Sequence, residues 1–382
     1  MTQTASREES IAAGADGMLV AFELGWKDWK LGFASVMGEK PWVVTIRPRN
    51  PIALSEAFGK ARKRLGLAAG CRVFSCYEAG REGFWLHRQL TEMGVVNLVV
   101  DSSSIEVNRR ARRAKTDRLD ARKLVGMLLR SWAGEKDLWS VVKVPTAEQE
   151  DGRQLLREIR TLTKEQTRLT NRIKGLLASQ GVAVRMGRRG LEEGLDAIRI
   201  WDGSPLPSGL RRRLEMEIAR RDVVHRQLLD LESERDSRMR KGQDRASEIA
   251  RRLKTLYGIA EAGAETYARE FSWREFKNRR QVGCLVGLTS TPYQSGDSFR
   301  ERGISRAGNR HVRGVAIDLA WVWLRLQPQS ELTRWFNRRF ARGGPRLRKI
   351  GIIALARKLV IALWRYADFG EIPKGALLKS QA

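Results

Sequence analysis

Cysteine and histidine are scarce, with three of each in 382 residues. Three cysteines (Cys71, Cys76, Cys284) cannot staple a chain of this length, so a disulfide-dependent scaffold is excluded. One C-x4-C pair, a distant third cysteine and scattered histidines do not make a zinc site either. The expectation is three buried free thiols. Acids are short as well: 44 Asp and Glu stand against 72 Lys and Arg, a net charge of +28. Long apolar runs are missing. The best membrane candidate, Gly351 to Ala367, is cut by Arg357 and Lys358 and is too short to span. The first residues, MTQTASREESIAAGADG, are polar and mildly acidic, unlike a signal peptide. Together these absences point to a cytoplasmic protein with no membrane partner.

What is present is a core-forming share of hydrophobic residues, 42%, and length for two or three domains. The cationic excess calls for a polyanion, because Lys and Arg that neutralise phosphates release condensed counterions. Charge alone does not say which polyanion.

The apolar pattern divides the chain into three. Residues 1–145 alternate strands and helices. Strands are expected at Met18 to Glu23, Trp29 to Phe33, Pro41 to Arg47, Cys71 to Tyr77 and Val95 to Val100. Helices are expected at Leu54 to Leu67, Gly83 to Met93 and Arg118 to Arg130. This is an α/β domain. Residues 146–248 change character. Leu155, Ile159, Leu162, Gln166, Leu169, Ile173 and Leu176 step by four and three, a heptad seam with one polar position. A Gly/Pro-containing break over Gly181 to Gly209 precedes a charged helical stretch, Leu210 to Met239, so a coiled coil or helical hairpin is expected. Residues 249–382 read as a mostly helical domain. In it Thr289 to Gly308 is a Gly/Ser/Arg-rich loop, and two helices, His311 to Leu326 and Ile350 to Tyr366, close the chain.

Carboxylates are the informative residues in so basic a chain. Glu23 and Glu78 each end an apolar β-run. Asp117 and Asp120 lie three apart at a helix start and share a face. Between Arg109 and Lys123 there are eight Lys or Arg and only these two acids. Two divalent cations about 4 Å apart, clamped by carboxylates, are a standard device for phosphodiester cleavage. The same acids serve equally well as ion-pair partners of nearby arginines, and spacing alone does not choose. In the C-terminal loop, Ser295 and Ser298 lie among Arg300, Arg302, Arg306, Arg310 and Arg313. A serine hydroxyl becomes a nucleophile only with activation and with cations to stabilise the charge that develops. The alternative is a phosphate-contacting loop with solvated serines. Trp26 and Trp29 flank Glu23 and suit either base stacking or, preferably, core packing. His225 is expected in solvent, and His311 is a candidate phosphate contact.

Three stretches carry a resemblance: Val20-Ala21-Phe22-Glu23-Leu24-Gly25-Trp26-Lys27, Tyr77-Glu78-Ala79-Gly80, and Lys115-Thr116-Asp117-Arg118-Leu119-Asp120-Ala121. They are followed by Tyr257-Gly258-Ile259, Ser295-Gly296, Gly303-Ile304-Ser305-Arg306-Ala307-Gly308-Asn309 with Arg313, and Ala354-Leu355-Ala356-Arg357-Lys358. In this order the set resembles the DEDD-type transposases of the insertion-sequence-110 family, the bridge-RNA-guided serine recombinases of prokaryotes. The resemblance implies an N-terminal RuvC-like (RNase H-like) domain at 1–145, whose acids Glu23, Glu78, Asp117 and Asp120 hold Mg²⁺, two ions per site. The first acid departs from the family, which has Asp there. Glu reaches one methylene farther, and Asp28 ranks below it as a substitute. The resemblance further implies a coiled-coil region at 146–248 and a C-terminal transposase domain at 249–382. Ser295 is then the covalent nucleophile, with Ser298 and Ser305 as alternates. Arg109, Arg110, Arg112, Arg113, Lys115, Arg300, Arg302, Arg306, Arg310 and Arg313 are the expected nucleic-acid contacts. Implied partners are target and donor DNA, a noncoding bridge RNA and further copies of the chain in a homodimer or homotetramer. The expected place is the nucleoid. Because the acids and Ser295 fall in different domains, the implied active site is composite. Tyr257 to Ala260 is similar to a helix-hairpin-helix turn, with Ala260 where a second glycine is usual. Two other functions remain: a metal-dependent nuclease on branched DNA that makes no serine adduct, and a degenerate relative that only binds nucleic acid.

Overall fold

The computed structural model describes residues 17–35, 40–106, 116–187, 190–191, 194–295 and 298–381. The chain forms two compact units, Met1–Pro145 and Thr146–Ala382.

The first unit is a five-stranded mixed sheet with helices on both faces. In chain order it holds β1 (Gly17–Leu24), β2 (Trp29–Ala34), β3 (Trp42–Ile46), α1 (Pro51–Arg64), β4 (Arg72–Glu78), α2 (Trp85–Glu92), β5 (Val96–Val100) and α3 (Asp117–Trp132). The strand order is β3-β2-β1-β4-β5. β1, β2 and β3 form an antiparallel meander, while β4 and β5 run parallel to β1. β1 is central because its run MLVAF is apolar at every position, and all of those residues are buried. An unbroken apolar run is what a strand covered on both faces needs. Met18, Val20 and Phe22 face one core with Phe33, Phe58 and Leu90, under α1 and α2. Leu19 and Ala21 face the other with Cys76, Leu124, Val125 and Leu128, under α3. Pro51 lies beyond the end of β3 at Ile46. It opens α1, and the Asn50 side chain accepts from the Ala53 N–H as the cap. Proline suits the first helical turn because its missing N–H would be unbonded there anyway.

One glycine sets the height of α3 over the sheet. A Cβ on Gly32 would lie 2.9 Å from the Ala121 carbonyl oxygen and 3.3 Å from Val125 Cγ1. Only a strand residue without a side chain lets the start of α3 sit this close.

The second unit begins with α4 (Ala147–Ala178). After the two-residue strands β6 (Met186–Gly187) and β7 (Gly190–Leu191) comes α5 (Ser208–Lys241). α4 opens with a full capping box, Thr146 and Gln149 bonding each other's backbone. The seam of α4 faces α5, with Leu177 buried and the expected Leu176 only partly so. Leu162 and Leu169 pack on Val224 and Leu228, and Ile173 and Leu177 pack on Leu210 and Leu214. The two helices form an antiparallel hairpin within one chain. The polar seam residue Gln166 meets His225, with its Nε2 3.0 Å from the imidazole Nδ1. His225 is therefore half-buried and bonded, not in solvent.

The rest of the unit is a helical cluster: α6 (Arg245–Lys254), α7 (Glu261–Phe271), α8 (Arg279–Val286), α9 (Arg310–Leu326), α10 (Glu331–Phe340) and α11 (Pro345–Phe369), with the strands β8 (Ser290–Ser295) and β9 (Ser298–Ile304) between α8 and α9. Its core gathers Leu253, Tyr267, Val282, Leu319, Trp323, Phe336, Leu355 and Leu359. Three expectations change here. Thr289 to Gly308 is a β-hairpin rather than a loop, with Ser295 opposite Ser298. Three helices, not two, close the chain, because α10 buries Phe336 and Phe340. Of the three thiols only Cys76 is fully buried, Cys71 is partly covered and Cys284 is exposed. No helix among the described residues is long and apolar enough to cross a membrane.

Candidate functional site

The acids meet at the carboxyl edge of the sheet. β1 and β4 are parallel neighbours with Phe22 opposite Tyr77. The next residues, Glu23 and Glu78, therefore stand side by side where the ladder ends. Side chains alternate along a strand, and Ala21 and Cys76 face α3. Glu23 and Glu78 thus belong to the α3 side as well. α3 brings the other two acids. Thr116 caps it by accepting from the Leu119 N–H, and Asp117 and Asp120 occupy its first turn. Unpaired N–H groups and the helix dipole favour negative charge at that position.

Carboxylate oxygens of Glu23, Asp117 and Asp120 all lie within 4.8 Å of one another. Glu23 and Asp120 are half-buried and Asp117 is exposed. Glu78 is exposed on the neighbouring strand end and does not join this three-membered group. Asp28 is elsewhere, bonded at 3.0 Å to Lys30. The donor set is all carboxylate oxygen, partly open to water. That fits a hard divalent cation that keeps part of its hydration shell, and it does not fit a metal that prefers sulfur or imidazole. Glu23, Asp117 and Asp120 are the residues that would hold it.

Beside the acids is a feature the sequence did not reveal. Trp26 is exposed, not core, while Trp29 is buried. The guanidiniums of Arg49 and Arg81 stand 4.7 and 5.0 Å from the Trp26 ring centroid. Arg49 makes a two-pronged ion pair with the buried Glu82, and its backbone φ is 56°. A non-glycine residue in the left-handed region is strained, so the ion pair holds it there. The turn that presents Trp26 needs Gly25, whose Cβ would meet the Asp28 carbonyl at 2.5 Å. Arg49 and the neighbours Arg81 and Glu82 come from two segments far apart in the chain, and only Trp26 carried a visible signal. The five cations Arg109, Arg110, Arg112, Arg113 and Lys115 lie outside the described residues.

In the second unit, Ser295 ends β8 and is paired by its backbone with Ser298. The side chains of Ser295, Ser298, Arg300 and Arg302 lie outside the described residues. Ser305 sits at the base of the hairpin. Its N–H donates to the Thr289 carbonyl at 2.8 Å, and its hydroxyl accepts from the Thr289 hydroxyl at 3.3 Å. Arg306 and Arg310 are exposed. Arg313 turns inward, and its Nη1 donates to the carbonyls of Val286 and Arg306 at 3.2 and 3.1 Å. Arg313 therefore fastens the hairpin base to α8. The segment Tyr257 to Ala260 does lie between two helices, α6 and α7. Gly258 there has φ 87°, and no side chain caps α7.

Comparison with known sequences places these pieces. Residues 250–334, from α6 into α10, match the model of the Transposase IS116/IS110/IS902 family. The chain is 40% identical over 330 residues to y4rJ of Sinorhizobium fredii, provisionally named a transposase, covering 84% of this chain and 83% of that one. This chain belongs to the IS116/IS110/IS902 transposase family. It is 26% identical to the transposase for insertion sequence element IS1111A of Coxiella burnetii, over 78% of each chain. It is 25% identical to the transposase for insertion sequence element IS1328 of Yersinia enterocolitica, over 60% of this chain and 66% of that one. Membership makes the protein an enzyme of DNA transposition. The acid cluster precedes the family-model segment, but the first relative spans most of both units.

Proposed function

We propose that this transposase cleaves and rejoins DNA through a covalent serine–phosphate link, with Mg²⁺ held by Glu23, Asp117 and Asp120, and Glu78 completing the set. The observation that carries the reading is the convergence of three carboxylates at the open edge of a sheet in a chain of net charge +28. A mixed sheet with the order 3-2-1-4-5 and acids at adjacent strand ends supports a RuvC-like identity for residues 1–145. Two Mg²⁺ ions, when bound, would lower the pKa of an attacking hydroxyl and stabilise charge on the leaving oxygen.

The protein's own residues supply the rest. Ser295 Oγ attacks the phosphorus, forming an O–P bond as the bond to the leaving strand oxygen breaks. The serine proton passes to a base and the leaving oxygen takes a proton. Attack by a new strand hydroxyl reverses both changes and frees the serine, so strands exchange with no external energy source. Arg300, Arg302, Arg306 and Arg310 hold the phosphate near the hairpin. Arg109, Arg110, Arg112, Arg113 and Lys115 hold the backbone near the acids. Target and donor choice belongs to a bridge RNA, which the protein grips by backbone and shape rather than by base sequence. The helical hairpin at 146–248 serves as a coiled coil that holds a homodimer or homotetramer together, with residues 249–382 as the transposase domain.

The test is a cleavage reaction with labelled DNA and the cognate RNA in Mg²⁺. Wild type should yield a protein–DNA adduct that Ser295→Ala lacks. Full strand cleavage by Ser295→Ala would instead identify a metal-dependent nuclease. Wild type that binds but never cleaves, matched by Glu23→Ala, would identify a binding protein.

A further inference from the structure

A second charged centre lies in the helical unit, lined by other residues than the acid cluster and the serine hairpin. A cavity of about 760 Å³ opens between α4, the turn Tyr257 to Ala260, the start of α7 and the side of α9. This is the size of a small-molecule pocket. Arg153, Arg157 and Arg160 line it from α4. Their spacing of four and three places them on one helix face.

Six cations line the cavity against three acids, Glu261, Glu270 and Asp318. Glu270 is 3% exposed. Its carboxylate takes Arg157 at 3.6 Å, Arg274 at 3.7 Å and Arg153 at 4.0 Å, and it accepts from Asn309 Nδ2 at 2.7 Å. Arg157 and Arg274 thus compete for one buried carboxylate that Arg153 also approaches. Burial, with Arg153 and Arg157 adding to it, pushes Arg274 down to about 10 against the pull of Glu270. Arg160 has no carboxylate partner among the described residues. Its guanidinium lies on α9, where a Cβ at Gly314 would be 3.2 Å from Nη2. Its Nη1 is 3.3 Å from His311 Nδ1. A guanidinium has donors only, so Nδ1 must accept and the imidazole proton sits on Nε2. Nε2 is then the donor of this imidazole, and His311 is among the residues that line the cavity. Val315, Leu319 and Val322 give it an apolar stripe along α9, beside Asp318, and Ile159 adds to it from α4.

A cleft with surplus cations, a neutral donor and an apolar stripe matches a ligand that is anionic at one end and flat and apolar at the other. A protein acid has no such second part. We infer that the cavity receives one unstacked nucleotide of a bound strand, its phosphate against Arg157, Arg160 and His311 and its base on the apolar stripe of α9. The inference rests on the proposed DNA and RNA partners, and the phosphodiester chemistry is common to both strands.

The test uses the full chain with short single-stranded DNA and with RNA of the same sequence, each carrying 5-iodouracil at successive positions. Photocrosslinking followed by peptide mapping should place adducts within residues 311–326, and the strand that gives them identifies the source. Arg160→Gln should weaken binding of that strand about fivefold and lower the slope of log K against log salt by about one. Arg160→Lys should restore the slope. Adducts only outside the cavity with an unchanged slope would overturn the inference while leaving the transposase mechanism intact. Protection of the cavity by poly-glutamate but by neither strand would assign it to an acidic protein and overturn it too. Failure to bind any oligonucleotide would sink both readings.

Discussion

Replacing Asp120 by Asn should stabilise the metal-free protein and remove its response to metal. Three carboxylates sit within 4.8 Å of one another. At that separation each pair repels by about 0.9 kcal/mol even with water-like screening. Asp120 takes part in two pairs, so neutralising it relieves roughly 1.7 kcal/mol at low salt. The substitution also forfeits the favourable placement of an acid in the first turn of α3, worth about 0.3–1 kcal/mol. The net gain is about 1 kcal/mol, or about 3 °C in melting temperature for a unit of this size. With Mg²⁺ or Mn²⁺ at about a hundred times its Kd, wild type gains roughly 2.7 kcal/mol by mass action and the variant gains little. The two melting curves should therefore exchange order: variant higher without metal, wild type higher with it. The assay is thermal unfolding of the full chain, followed on the transition that moves with Mn²⁺ in wild type. A variant that melts below wild type without metal, and still rises equally with it, would refute the reasoning.

Other outcomes follow from the same geometry. Gly32→Ala should cost about 1–3 kcal/mol by overpacking against Ala121 and Val125 and should weaken metal-dependent stabilisation, both visible in the same melts. His87 and His311 are both shifted below the ordinary histidine value. Burial is the main cause, with Arg88 adding for His87 and Arg157 and Arg160 for His311. Depressed histidines bind fewer protons folded than unfolded, so stability should fall as pH drops from 6.5 through their folded values. Urea denaturation across that window should show a shallower slope in the double glutamine variant. Cys284 should react with a thiol reagent in the native protein, while Cys76, whose thiol burial pushes up, should react only on unfolding.

Much of this molecule is written locally. The apolar run of β1 and the heptads of α4 announce themselves, because one face or both must be buried along a regular period. The pairing of Glu23 with Asp117 and Asp120 was visible as residue types but not as a distance. That distance depends on Gly32 admitting α3, a contact between residues some ninety apart in the chain, as their numbers show. The hairpin β8–β9 was misread because serine, glycine and arginine outweigh its few β-formers. Yet Gly296-Asp297 between two short runs is a hairpin signal by itself. α10 was missed although Ser330 caps it and Phe336 and Phe340 repeat at helical spacing. The Arg49–Glu82 pair and the arginines around Glu270 had no local signature at all. Each depends on side chains that become neighbours only after folding.

The contact between Gln166 and His225 bears on how the long helices choose each other. Leucines along a seam are nearly interchangeable, so a slide by one heptad would still bury apolar surface. Such a slide would break the hydrogen bond between these two half-buried side chains, a net loss of about 0.5–1.5 kcal/mol. The polar pair therefore acts as an address. It names one alignment among several of similar greasiness, and it names the helix of the same chain as readily as it rejects a mismatched neighbour.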